Sequence, residues 1–148
     1  FFLFDFDRRL NERGKKDAPV MAQRLLDKKI KIDAFISSPA KRAKKTAALF
    51  AEKYKKDKEN IIFYQELYAA AEHVFYDVIT GIKNKFDCIA LFSHNPGITD
   101  FANQLTDAKI DNIPTCGIFA IKIDSDNWAD FRNAKKEFLF FFFFLKEE

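Results

Sequence analysis

Two short stretches of the chain join residue types that handle anions. The first is Ser37-Ser38-Pro39-Ala40-Lys41-Arg42-Ala43. Serine followed by proline opens helices, with Ser38 predicted as the N-cap and Pro39 at the first helical position. A helix begun there presents free backbone N–H groups and a positive dipole end. Arg42 in its first turn adds a planar, permanently charged fork that matches phosphate oxygens. The same residues also describe a plain capped helix with a solvated basic face. The second stretch is Ser93-His94-Asn95-Pro96-Gly97. Its imidazole follows an apolar run and precedes a Pro-started helix, where it can donate to an anion or transfer a proton. A His satisfied by a neighbouring carbonyl fits that position equally well. The other histidine, His73, lies among Glu72, Val74 and Phe75 and reads as a helix surface residue.

Both stretches need strands to carry them to one place. Asp33-Ala34-Phe35-Ile36-Ser37 reads as a buried strand ahead of the first. Cys88-Ile89-Ala90-Leu91-Phe92, apolar without alternation, is the pattern of a strand covered on both faces of a parallel sheet. Residues 1–4, Ile61 to Tyr64, Gly117 to Ile123 and Glu137 to Leu145 supply further strands. Between them lie helical patterns. One runs from about Glu12 to Lys29, with Asn11 as cap and Ala18, Ala22, Leu25 and Leu26 inward; Pro19 should bend it or mark its true first turn. A second carries Ala43, Ala47, Phe50, Ala51 and Tyr54, a third Phe75, Val78, Ile79 and Ile82, and a fourth spans Gly97 to Leu105. Strand and helix alternate throughout, so the predicted class is α/β, a three-layer sandwich with a mostly parallel central sheet and helices on both faces. Ligands in such sheets bind beyond the carboxyl ends of the strands, which is where both stretches fall. No Gly/Ser/Pro-rich linker divides residues 1–148, and one domain is expected.

Composition narrows the classes further. The chain has 148 residues, 25 Lys+Arg against 22 Asp+Glu, and an apolar share of 48%, the profile of an ordinary soluble domain. Of its 19 Phe, nine sit in two terminal patches, Phe1, Phe2 and Phe4 and then Phe138 with Phe140 to Phe144. The longest apolar run, Phe138 to Leu145, is eight residues, whereas a membrane helix needs about 20. No membrane association and no signal peptide are expected. Cys88 and Cys116 are too few for a disulfide framework, and reduced, buried thiols in a cytoplasmic protein are expected. No metal-ligand spacing, Walker loop or dinucleotide glycine fingerprint occurs. Lys41, Arg42, Lys44, Lys45, Lys53, Lys55, Lys56 and Lys58 make one helix and its tail strongly basic. Without interleaved aromatic residues this reads as a solvated face, and nucleic acid is not the expected partner.

Taken together, Asp5-Phe6-Asp7-Arg8, then Leu10 to Ala18, then Ser37 to Ala47, then Ser93 to Gly97 resemble, in order and spacing, the SixA-like phosphohistidine phosphatases of the histidine phosphatase (phosphoglycerate mutase-like) superfamily. Pro114-Thr115-Cys116-Gly117 also looks like the turn before that group's penultimate strand. The resemblance implies a metal-independent phosphatase whose pocket holds the phosphoryl group with two His and two Arg. One His attacks phosphorus and water then hydrolyses the phosphohistidine. By resemblance, Arg42 binds phosphate, His94 is the second pocket His, and Asn95 and Gly97 shape the loop and offer backbone N–H groups. No metal or organic cofactor is expected, and the substrate is a phosphorylated protein or a small phosphorylated molecule.

The sequence departs from the family at three places. Phe1-Phe2-Leu3-Phe4 runs straight into Asp5, so the Arg-His pair that holds the nucleophile has no counterpart. Either a segment is missing there, which is the expectation, or the chain is an inactive relative, a non-catalytic module that binds phosphate or nucleic acid. Ala69, after Leu67-Tyr68, stands where many relatives place a carboxylate as general acid, and neither Glu66 nor Glu72 occupies that position. A leaving imidazole titrates near neutrality and can depart protonated, whereas an alkoxide needs a donor, which favours phosphohistidine. Arg9 replaces a usual Pro.

Overall fold

The structure is a computed structural model of the chain and describes residues 2–5, 12–94, 96–111, 113 and 117–142, with side chains described from residue 15 to 141 within these ranges. Six strands form one sheet: β1 (Phe2–Asp5), β2 (Ala34–Ser37), β3 (Ile62–Phe63), β4 (Ile89–Ser93), β5 (Ile118–Asp124) and β6 (Lys135–Phe142). Their order is β3-β2-β4-β1-β5-β6. β1 to β4 are mutually parallel; β5 is antiparallel to β1, and β6 to β5. Four helices connect the strands: α1 (Glu12–Asp27), α2 (Lys41–Lys53), α3 (Glu72–Thr80) and α4 (Gly97–Leu105).

The unbroken apolar strands have the meaning expected of them. In β2 and β4 successive side chains point to opposite faces, and both faces are covered. Phe35, Ala90 and Phe92 meet Ala18, Met21, Ala22 and Leu25 of α1 and Ala43, Ala47, Phe50 and Ala51 of α2. Ala34, Ile36, Ile89 and Leu91 meet Phe75, Val78 and Ile79 of α3 and Phe101, Ala102 and Leu105 of α4. Phe75 and Phe101 stack between these two helices with ring centroids 4.9 Å apart. The mostly parallel α/β sandwich is therefore the observed architecture.

Several boundaries differ from expectation for identifiable reasons. α1 runs from Glu12 through Pro19, which therefore does not mark its first turn. It stops at Asp27 because Lys29 takes a left-handed conformation, φ 63°, while Lys29 N–H donates to Leu26 O and Ile30 N–H to Leu25 O. Lys55, φ 58°, ends α2 in the same way, with bonds to Glu52 O and from Lys56 to Ala51 O. These are Schellman closures without glycine. Met21 is fully buried and Leu26 only partly, so the inner face of α1 is turned slightly from the expected one.

β6 is an edge strand described from Lys135 to Phe142; the expected end at Leu145 falls among residues 143–148, outside the described residues. A bulge between Ala120 and Ile121 pairs them with Phe140 and Phe138 and leaves Leu139 unpaired and half exposed. The extra residue resets the side-chain alternation. Phe138 and Phe141 thus both reach Phe119, at 5.3 and 6.3 Å between centroids, while Phe140 joins the opposite cluster. The bulge is how a run of Phe is divided between two layers.

Candidate functional site

The parallel register brings the carboxyl ends of β1, β2 and β4 level: Asp5 pairs with Ser93, and Ser37 with Phe92. The first stretch leaves β2 here. Ser38 is not the cap of α2. Its N–H still donates to Phe92 O at 2.9 Å, so it remains attached to the sheet and the helix begins only at Lys41, with Ala40 at the cap position and no side-chain cap. The first turn contains no acidic residue, and Lys41 and Arg42 leave the positive dipole end uncompensated. Arg42 is partly buried in that turn. One turn on, Thr46 is fully buried and its Oγ1 has no hydrogen-bond partner among the described residues.

The second stretch leaves β4 beside it. His94 is partly buried, and its carbonyl accepts from Ile98 N–H at 2.9 Å, so the imidazole sits where strand gives way to helix. Its Nε2 lies 3.2 Å from Ser38 Oγ, across 56 residues of sequence. Asn95, a predicted site residue, lies outside the described residues, as do Pro114, Thr115 and Cys116.

Gly97 occupies the first turn of α4, and its geometry assigns it a role beyond offering an N–H. A Cβ on Gly97 would lie 1.9 Å from Ala70 O. Only glycine admits the backbone that follows β3 this close to α4. That backbone is held again by Ser93 Oγ, which donates to Leu67 O at 3.2 Å. Between the two fixings lie Tyr68, whose ring meets the His94 ring edge-on at 6.3 Å and is 60% exposed, and Ala69, held at φ 50°. A left-handed alanine costs of the order of 1 kcal/mol. Tyr68 is the neighbour of His94 that the sequence did not disclose; the departure at Ala69 was the nearest signal. Glu66 is exposed and Glu72 partly so, in the first turn of α3.

Other reactive side chains stand elsewhere. His73 is exposed on α3, as expected. Cys88 is half-buried rather than fully buried, at the opposite end of β4, and burial pushes its thiol above the usual range, away from thiolate chemistry. Among the described residues, no group of three or more His, Cys, Asp or Glu side chains could hold a metal ion, and no helix is long and apolar enough to cross a membrane.

Comparison with known proteins finds likenesses in sequence and in fold. Residues 4–67 match the family described as histidine phosphatase superfamily (branch 1), a span that includes Arg42 and ends before His94. No curated protein matches by sequence. Among solved structures, one from Agrobacterium tumefaciens assigned as the phosphohistidine phosphatase SixA is 21% identical, with a TM-score of 0.75 and 95% of each chain covered. The protein histidine phosphatase SixA complexed with tungstate is 17% identical, with a TM-score of 0.76 over 95% of this chain and 94% of that one. A mycobacterial glucosyl-3-phosphoglycerate phosphatase is 10% identical, with a TM-score of 0.66 over 93% and 94%. The chain therefore resembles the histidine phosphatase superfamily, and its SixA-like members in particular, both in the sequence of residues 4–67 and in the fold of nearly its whole length.

Proposed function

We propose that this chain is one cytoplasmic domain of a metal-independent phosphatase that hydrolyses phosphohistidine in a protein, or a small phosphorylated molecule, through a phosphohistidine intermediate. The observation that carries the proposal is the contact between Ser38 and His94, which joins the start of the Arg42 helix to the end of β4 at one edge of the sheet. Arg42 and the uncompensated first turn of α2 bind the phosphoryl oxygens, and His94 donates to them as charge develops. Asn95 and Gly97 shape the loop. The leaving group departs without a carboxylate at Ala69, as an imidazole can and an alkoxide cannot.

The attacking His is not among the two histidines assigned above, and the proposal takes it from a segment of the gene product between Phe4 and Asp5, residues that are adjacent within β1 of this chain. A second reading, a non-catalytic phosphate-binding module, is favoured by the direct join of Phe4 to Asp5, which leaves no Arg-His pair there. One experiment separates them. The full gene product is assayed on a phosphohistidine peptide and a phosphate monoester with EDTA present, and tungstate binding is measured alongside. Hydrolysis of the phosphohistidine, faster than of the ester and blocked by tungstate, supports the enzyme. Tungstate binding without hydrolysis supports the module, and no binding removes both.

A further inference from the structure

We propose that Ser38 is the positioning residue for His94: its hydroxyl holds the imidazole by Nε2 and lets the ring gain or lose a proton without turning. The proposal rests on placing His94 in the phosphate site. It begins from how firmly the serine itself is held. Ser38 is fully buried. Its N–H donates to Phe92 O at 2.9 Å, its carbonyl accepts from Ser37 Oγ at 2.8 Å, and its Oγ accepts from Ala40 N–H at 3.2 Å. With that acceptance made, the oxygen has one proton and one further lone pair to offer, and Nε2 stands 3.2 Å away.

This choice of partner has a chemical consequence. When the neutral ring carries its proton on Nδ1, the hydroxyl donates to Nε2. When Nε2 carries a proton, in the other tautomer or in the cation, the oxygen accepts. The hydrogen bond persists in each state with every heavy atom in place. A backbone carbonyl can only accept and would exclude the first state, while a carboxylate would favour the cation. A hydroxyl suits a ring that must hold one orientation while its charge changes. The same contact fixes the spacing of the two anion-handling stretches, since Ser38 leads into the turn that carries Arg42.

The test uses a His73→Gln background of the 148-residue chain, in which His94 is the single histidine. Imidazole 15N shifts then report its tautomer and protonation directly across a pH titration, and tungstate affinity is measured on the same samples. Ser38→Ala, and Ser38→Cys as a variant that fills the space, should both shift the 15N resonances and the tautomer balance. Both should also weaken tungstate binding about tenfold, the effect of one lost hydrogen bond. Ser38→Thr, which keeps the hydroxyl, should restore both. Unchanged His94 resonances and titration in the folded Ala and Cys variants would overturn the proposal. If the parent protein fails to bind tungstate, the phosphate site falls instead, and the ring signal alone still decides the role of Ser38.

Discussion

The two edges of the sheet satisfy polar groups under opposite conditions. At the carboxyl edge, polar side chains are sealed from water: Ser37, Ser38, Ser93, Thr46 and Thr99 are the buried polar residues among those described, and all lie at strand ends or in the first two turns of α2 and α4. At the amino edge, polar side chains make bonds of the same kind while exposed. Asp33 Oδ2 accepts from the N–H groups of Asp87 and Cys88 at 3.0 Å each, and Asn84 accepts from Trp128 N–H at 2.9 Å. A hydroxyl taken from water contributes little net stability even when paired, and costs about 1–3 kcal/mol when it is not. The amino edge therefore uses polar groups to close turns. The carboxyl edge uses them to set geometry at some expense in stability, as the proposed site requires.

The largest expected effect breaks the carboxyl edge alone. His94→Ala in the full gene product should lower turnover of phosphohistidine by about 10²–10⁴-fold, the range for loss of a group that donates to the reacting centre. The thermal midpoint should stay near that of the wild type, because the imidazole is only partly buried. Wild-type turnover in this variant would sink the site assignment.

Gly97→Ala tests the same edge through its backbone. With Ala70 O at 1.9 Å from the added methyl, either α4 or the Tyr68–Ala71 segment must move. A loss of about 3 kcal/mol is expected in chemical denaturation, at the upper end for overpacking. Tungstate affinity should fall too, because Tyr68 is carried away from His94. Asp33→Ala provides the contrast at the amino edge. Removing a carboxylate that accepts from two backbone N–H groups should cost about 1–2 kcal/mol in the same measurement and leave tungstate affinity unchanged. A change in affinity there would show that the two edges are coupled.

The edges also differ in how far the sequence discloses them. The strands and the four helices were legible because burial on both faces leaves an unbroken apolar run, as in Ile89 to Phe92, and one-sided burial leaves helical spacing, as in Ala43, Ala47, Phe50 and Ala51. His94 and Arg42 were legible as residues at strand and helix boundaries. The contacts between these boundaries were not. Ser38 followed by Pro39 carries every local sign of a cap, and only the hydrogen bond from its N–H to Phe92 O, set by strand pairing, shows that it still belongs to the sheet. Helix ends at Lys29 and Lys55 were hidden for a related reason, since lysines there occupy left-handed positions that glycine usually signals. Tyr68 next to His94 and the closeness of Gly97 to Ala70 are products of tertiary packing between segments about 26 residues apart, which no local pattern encodes.

The smallest expected effect is the most discriminating. Thr46 Oγ1 is buried without a partner among the described residues, one helical turn from Arg42 and on the same face of α2. Thr46→Val keeps the branched shape and a similar helix propensity while removing the orphaned hydroxyl. Stability should therefore rise, by about 1 kcal/mol, where most buried substitutions lower it. Thermal unfolding reads the sign directly, and a decrease would mean that the hydroxyl has a role the geometry of α2 does not show. Tungstate affinity of the stabilised variant then sharpens the contrast between the edges. A drop would place Thr46 with Arg42 in the site, as a hydroxyl kept for an anion, while unchanged affinity would leave Thr46 outside it.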